Sequence, residues 1–149
     1  MILSKRSIAF AVLGLFLVGD RLLKWLAATA PGQSKELIPR VFDFGFYPNQ
    51  KLLFWVDLPP LLAFGVVLAA LVLLFIFMVE QKPQDLQPFY FIFGGALSNF
   101  YDRGTQGAVI DFLHILNLST INFADILILL GLAQLIMPLI KSNKSPHLS

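Results

Sequence analysis

The stretch LLAFGVVLAALVLLFIFMV, residues 61–79, contains no charged or strongly polar side chain. It follows Pro59 and Pro60 and ends at Glu80. A helix needs about 20 apolar residues to cross the roughly 30 Å hydrocarbon layer of a bilayer. The stretch therefore predicts a membrane-spanning helix, and we expect the rest of the fold to be arranged around it.

The composition of the whole chain supports this expectation. Of its 149 residues, 57% are hydrophobic and only 13% are charged, and the mean hydropathy is +0.76. A soluble domain averages about 45–50% apolar and about 25% charged residues. One small water-soluble core could not bury so much apolar surface, so we expect a single membrane-embedded domain.

Three further apolar segments accompany the first. The predicted spans cover about residues 7–30, 60–79, 86–102 and 121–140. Gly94, Gly95 and Ser98 in the third would allow close helix packing in lipid. The first has the layout of a cleavable secretory signal, but Asp20 and Lys24 interrupt it before the small-residue site. We interpret it as a retained span.

The basic residues near the span ends set the expected orientation. Four spans with both termini in the cytoplasm put most of these residues on the cytoplasmic side: Lys5, Arg6, Lys82, Lys141 and Lys144. The pattern is not clean, because the segment between the first two spans carries basic residues on the outer side: Lys35, Arg40 and Lys51.

The segment between the first two spans has the pattern of a strand. Phe42, Phe44 and Phe46 alternate with Asp43 and Gly45, which is the period of a half-buried strand. Residues 48–49 read as a turn and residues 52–56 as a returning strand. The predicted fold is thus an all-α integral membrane protein with four transmembrane helices and a small extracytoplasmic β-structure between spans one and two.

The residue inventory excludes several kinds of chemistry. Cysteine is absent, so no disulfide, thiol nucleophile or cysteine-ligated metal is available. His114 and His147 are the only histidines, so we expect no metal site and no cofactor, and we expect His114 to be a packing residue. The basic residues are scattered, which does not favour nucleic-acid binding. The main source of acid–base chemistry is the set of nine carboxylates.

Ionisable residues at membrane depth are costly unless they are paired or face water. Here they gather near the outer ends of the predicted spans: Asp20, Arg21, Lys24, Asp102, Arg103, Asp111 and Asp125. Structural roles are open for most of them. Asp20 and Lys24 have the spacing of a helix pair, Asn122 and Asp125 could cap the fourth span, and Asp102 with Arg103 could form a local ion pair.

Asp111 is the hardest of these residues to explain structurally, because its neighbours 108–110 and 112 are apolar. From the residues alone, two cooperating carboxylates and a path for protons or ions both remain open. Two carboxylates a few ångströms apart share one proton. The ionised one can take a proton from water while the other polarises a peptide carbonyl, which hydrolyses an amide without serine, cysteine or metal.

Four motifs resemble those of the bacterial lipoprotein signal peptidases. Residues 94–103, GGALSNFYDR, resemble that family's GGAxGNxxDR, with Ser98 in place of a glycine. Residues 107–112, GAVIDF, resemble GxVVDF, residues 122–125, NFAD, match NxAD, and residues 20–25, DRLLKW, resemble DQxxK. The outer segment departs from the family, because NQKLLF at 49–54 keeps only the Asn and Phe of NxGAAF.

The resemblance implies a role for each matched residue. Asp111 and Asp125 would be the catalytic pair of an aspartyl endopeptidase. Substrate backbone would be held by four others: Asn49, Asn99, Arg103 and Asn122. The site would be braced by three charged residues: Asp20, Lys24 and Asp102.

The resemblance also implies the substrate and the place of action. The enzyme would remove signal peptides from diacylglyceryl-modified prolipoproteins, cutting before the lipidated cysteine. It would act as a multi-pass protein of the bacterial cytoplasmic membrane, with its site near the extracytoplasmic face, and we expect it to be a monomer among membrane lipids. The alternative is a non-catalytic membrane protein, either a precursor-binding paralogue or an ion or proton pathway.

Overall fold

The computed structural model describes residues 4–51, 58–82, 86–116 and 118–142. Within these residues the chain forms helices α1 (Lys5–Ala28), α2 (Pro60–Glu80), α3 (Gln87–Gln106) and α4 (Phe123–Ser142). It also forms strands β1 (Ser34–Ile38), β2 (Phe42–Asn49), β3 (Val109–Ile115) and β4 (Ser119–Ile121). The apolar segments recognised in the sequence thus lie largely within the four helices.

The helix ends follow from local sequence. Ser4 caps α1 by accepting a hydrogen bond from the Ser7 backbone N–H at 3.1 Å. Pro60 opens α2 at a position where its missing N–H costs nothing. Gly107 ends α3 with a φ of 73°, the left-handed conformation that glycine adopts without strain. Of these signals, Gly107 determines where α3 ends before β3 begins.

The four strands form one antiparallel sheet in the order β1-β2-β3-β4. The predicted β-structure between the first two spans is therefore present, but it is completed by two strands from the α3–α4 connection, which an all-α fold with a local β-structure did not anticipate. Val109, Ile110 and Phe112 are all buried. Because apolar and polar residues do not alternate at the start of β3, the sequence does not show the period of two that predicts a half-buried strand.

The predicted turn at Pro48 and Asn49 is wrong. Both residues lie in β2 and pair with Ile110 and Val109 of β3. Strand β1 pairs with β2 only as far as Gly45. Pro48 lies beyond that pairing, so its missing N–H removes no described hydrogen bond between β1 and β2. The predicted returning strand at residues 52–56 lies outside the described residues.

Helices α3 and α4 approach each other closely through a small residue. A Cβ added to Gly95 would collide with the Ala124 backbone carbonyl oxygen and lie 2.9 Å from the Ile128 side chain. The expectation that small residues in this segment permit close packing is confirmed here. Because Ala124 precedes Asp125, this contact also sets the position of the start of α4 relative to α3.

Several polar side chains are buried and many large apolar side chains of the helices are exposed, which is unusual for a soluble protein. Asp20, Asp102 and Asn122 are fully buried, whereas Leu61, Leu73 and Val79 of α2 are 67–84% exposed. Helix α2 is long and apolar enough to cross a membrane, and residues 123–138 form a shorter apolar helix. Large exposed apolar surfaces on helices, around a buried polar centre, suit an environment of lipid.

Candidate active site

The site lies where the sheet meets the ends of the helices. The C-terminal end of α3 leads into β3, and β4 leads into the N-terminal end of α4. These connections bring residues from β2, β3, β4, α3 and α4 to one place. The structure thereby collects side chains that are widely separated in sequence.

Asp111 is a buried residue of β3, with 1% of its surface exposed. Its Oδ1 accepts a hydrogen bond from Asn122 Nδ2 at 2.8 Å. Its Oδ2 accepts two more, from Asn49 Nδ2 at 2.9 Å and from Thr120 Oγ1 at 2.8 Å. Three donors around one carboxylate fix its orientation.

Asp125 lies in the first turn of α4 and is held by a reciprocal capping arrangement. The Asn122 side-chain oxygen accepts from the Asp125 backbone N–H at 2.9 Å, and Asp125 Oδ2 accepts from the Asn122 backbone N–H at 3.3 Å. This is the geometry of a capping box. The expectation that both residues cap the fourth helix is confirmed, and the cap holds the carboxylate in place.

Asn122 connects the two carboxylates. Its side chain donates to Asp111 and its backbone donates to Asp125, and it is fully buried. Asn99 provides a second connection, because its Nδ2 donates to Asp125 Oδ1 at 2.8 Å and its Oδ1 accepts from Asn122 Nδ2 at 3.2 Å. The structure therefore brings together Asp111, Asp125, Asn49, Asn99 and Asn122, all of which the sequence singled out.

A charged cluster lies beneath this site. Lys24 Nζ is 2.9 Å from Asp20 Oδ2 and 2.7 Å from Asp102 Oδ2, and it donates to Asn99 Oδ1 at 3.1 Å. The i,i+4 pair predicted for Asp20 and Lys24 is present. Asp20 Oδ1 also accepts from the Ala124 backbone N–H at 3.1 Å. The cluster is thus linked to Asp125 through Asn99 and through the start of α4.

Arg21 and Ser98 also join this cluster, although the sequence predicted no role in the site for either of them. Arg21 lies 2.8 Å from Asp102 Oδ1 and 3.1 Å from Asp20 Oδ2, and it donates to Ser98 Oγ at 2.7 Å. Ser98 in turn donates to Asp20 Oδ2 at 2.6 Å. Ser98, which stands where the family motif has a glycine, thus contacts Arg21, which stands where another motif has a glutamine. That both residues depart from the family motifs is the sequence signal that could have pointed to this contact.

Arg103 occupies the edge of the site and not the charged cluster. Its Nη2 donates to the Lys51 backbone carbonyl at 3.1 Å. Among the described residues, its neighbour Asp102 pairs with Arg21 and Lys24 instead. The alternative prediction, a local ion pair between Asp102 and Arg103, is therefore wrong for the described residues.

A groove of about 560 Å³ is lined in part by Asn49 and Thr120, the two residues that donate to Asp111 Oδ2. Its walls come from the end of β2 and from the β3–β4 hairpin, and they include Asn49, Lys51, His114 and Thr120. The His114 ring packs at a tilt of 42° against Tyr47, with ring centroids 5.4 Å apart, and its Nδ1 lies 3.4 Å from Asp43 Oδ2. Thr120 was missed in the sequence, because nothing in its local spacing connects it with Asp111.

Comparison with known proteins agrees with this geometry. The family model described as signal peptidase (SPase) II matches residues 12–141. A lipoprotein signal peptidase of Chlorobium phaeobacteroides is 31% identical over 113 residues, which cover 71% of this chain and 67% of the relative. A lipoprotein signal peptidase of Streptococcus pneumoniae is 29% identical over an alignment of 152 residues, covering 95% of this chain and 97% of the relative.

The fold also has a counterpart among solved structures. A bacterial membrane enzyme determined by the in meso method at 2.3 Å resolution superposes with a TM-score of 0.78. It is 24% identical, and the match covers 95% of this chain and 94% of that one, so the likeness concerns the fold. Because the family model matches residues 12–141, which are most of its length, the chain belongs to the signal peptidase II family.

Proposed function

We propose that this protein is a membrane aspartyl endopeptidase that removes signal peptides from diacylglyceryl-modified prolipoproteins, with Asp111 and Asp125 as its catalytic pair. The observation that carries the proposal is the shared hydrogen bonding of these two carboxylates to Asn122, whose side chain donates at 2.8 Å and whose backbone donates at 3.3 Å. Membership of the signal peptidase II family supports the same activity.

The chemistry follows from two carboxylates in a poorly solvated site, which share a proton. The ionised Asp111 takes a proton from a water molecule as the water oxygen bonds to the scissile carbonyl carbon. Asp125 carries the shared proton and passes it to the carbonyl oxygen, which becomes a hydroxyl. When the intermediate collapses, the C–N bond breaks, the hydroxyl proton returns to Asp125, and the leaving nitrogen takes the proton held by Asp111.

The amides around the pair have a positioning role in this proposal. Asn122 is fully buried and its side-chain groups contact Asp111, Asn99 and the Asp125 backbone. Asn99 is likewise bonded to Asp125 and Lys24. We assign these two residues to holding the carboxylates. Contact of Asn49, Asn99, Arg103 and Asn122 with substrate backbone stays a prediction.

We further propose that all four helices cross the membrane and that both termini lie in the cytoplasm. Connectivity puts the sheet and the site at the end where α1 and α3 finish and α2 and α4 begin. The opposite end carries Arg6 at the start of α1 and Lys82 between α2 and α3. The positive-inside rule then places the site at the extracytoplasmic face.

This position suits a lipidated substrate. The acyl chains of a diacylglyceryl cysteine would lie in the bilayer, and the scissile bond just before that cysteine would be held at the depth of the carboxylates. Because each buried CH₂ of an acyl chain contributes about 0.8 kcal/mol, the lipid supplies much of the binding. We propose a monomeric enzyme, since the site described here is built within one chain.

The experiment that tests the proposal is cleavage of a lipidated precursor. The purified protein in liposomes is incubated with a prolipoprotein carrying a diacylglyceryl cysteine, and mass spectrometry identifies the products. We expect a new fragment that begins with the lipidated cysteine, and far slower cleavage of the same precursor without its lipid. A precursor that is bound and remains uncut would overturn the enzymatic proposal in favour of a non-catalytic precursor-binding protein.

A further inference from the structure

The two oxygens of the Asp111 carboxylate have different surroundings. Oδ2 accepts from both Asn49 Nδ2 at 2.9 Å and Thr120 Oγ1 at 2.8 Å. Oδ1 accepts from Asn122 Nδ2 at 2.8 Å. Because a carboxylate oxygen offers about two acceptor directions, Oδ2 is fully engaged, whereas Oδ1 keeps one direction open.

We propose that Thr120 is a positioning residue for the hydrolysis, which saturates Asp111 Oδ2 so that Oδ1 takes the proton from water. This inference rests on the proposed function. The Thr120 hydroxyl does not touch the reacting atoms in this account. It acts by holding the carboxylate in one rotation and by directing its remaining acceptor capacity toward the side on which Asn122 links it to Asp125.

The β3–β4 hairpin is what delivers this hydroxyl. Thr120 pairs with His114 across the hairpin, and Leu113 pairs with Ile121, so the position of Thr120 is set by the register of the strands. It lies nine residues from Asp111 in sequence and belongs to none of the four motifs described above. Hence the register of the hairpin, and not one of these motifs, brings the hydroxyl to Asp111.

Thr120 also lines the groove, together with Asn49, so a role in binding substrate has to be separated from a role in positioning Asp111. If Thr120 bound substrate in the groove, its loss would raise KM. If it positions Asp111, its loss lowers kcat, because the hydrogen bond to the carboxylate is needed for the chemical step and not for binding. The two roles therefore predict different kinetic changes.

The test compares Thr120→Val, Thr120→Ser and a matched control, Thr29→Val, using the lipidated precursor over a range of concentrations. Valine keeps the β-branched shape favoured in a strand and removes the donor, and serine restores it. Thr29 is a suitable control because its hydroxyl donates to the Leu26 backbone carbonyl at 2.6 Å and makes no described hydrogen bond to a residue of the site.

We expect Thr120→Val to lower kcat about ten-fold or more, the effect of one hydrogen bond to a charged group. We expect its KM to change by less than about two-fold, and Thr120→Ser and Thr29→Val to keep kcat near the wild-type value. A melting temperature of Thr120→Val equal to that of Thr29→Val would show that the loss is not one of folding.

The outcomes separate this inference from the function on which it rests. Wild-type protein that cleaves, together with Thr120→Val that has a normal kcat or a raised KM alone, overturns the positioning role of Thr120 and leaves the peptidase proposal intact. A loss in Thr120→Val that serine does not restore also overturns it. Wild-type protein that does not cleave overturns the proposed function, and this inference with it.

Discussion

Removal of the Lys24 ammonium would test the charged cluster beneath the site. Lys24 is 2% exposed, and its Nζ lies 2.9 Å from Asp20 Oδ2 and 2.7 Å from Asp102 Oδ2, both of them buried carboxylates. In Lys24→Met, Arg21 would be the one cation among the described residues that still contacts both carboxylates. Removing one partner of a buried charge network costs about 3–5 kcal/mol of unfolding free energy, and we expect a loss in that range.

The measurement is reversible unfolding of the purified protein in mixed detergent micelles. Lys35→Met is the matched control, because Lys35 is an exposed residue of β1 and the same side-chain change there should alter stability little. A second comparison uses the double variant Lys24→Met with Asp102→Asn. It leaves one carboxylate, Asp20, facing one guanidinium, Arg21, so the double variant should be more stable than Lys24→Met alone.

Two results would refute this account of the cluster. A loss below about 1 kcal/mol in Lys24→Met would place the interaction among solvent-exposed ion pairs. A double variant less stable than Lys24→Met would show that charge balance is not what the cluster supplies. If the account holds, Lys24→Met should also slow cleavage per folded molecule, since Lys24 holds Asn99 and Asn99 holds Asp125.

Three further predictions address topology, substrate positioning and helix packing. Cysteine at Gly32 should react with an impermeant thiol reagent in intact cells and cysteine at Lys82 should not; labelling of position 82 from outside would contradict the proposed orientation. Arg103→Lys should slow cleavage at low precursor concentration with little change in melting temperature, because lysine cannot copy the guanidinium fork; a large stability loss with normal rates per folded molecule would remove Arg103 from the site. Gly95→Ala should lower the melting temperature and the rate together, because the new Cβ collides with the Ala124 carbonyl, and unchanged values for both would contradict the close α3–α4 contact.

Contacts between residues near in sequence were the most predictable. The Asp20–Lys24 pair has a spacing of four on one helix, and the Asn122–Asp125 cap has a spacing of three. Such spacings determine geometry as soon as the helix is recognised. The collection of Asp111 and Asp125 at one site was likewise expected, from motif order and from their common position near the outer span ends.

Contacts that depend on the register of distant elements were not predictable in the same way. Ser98 and Arg21 are 77 residues apart, and their contact requires a specific packing of α1 against α3. The Thr120–Asp111 hydrogen bond requires the β3–β4 hairpin. The first residues of β3 are all buried, so its sequence lacks the alternation that would have predicted a strand there. In both cases the tertiary fold, and not the local pattern, decides which polar groups meet.

The central claim is that Asp111 and Asp125 carry the reaction, and the most direct measurement is the cleavage rate of Asp111→Asn and Asp125→Asn. Both changes preserve side-chain size and leave one oxygen to accept a hydrogen bond, so the variants should fold and insert like the wild type. We predict that each loses cleavage of the lipidated precursor while still binding it. Near-normal turnover by either variant would contradict the assignment of that carboxylate.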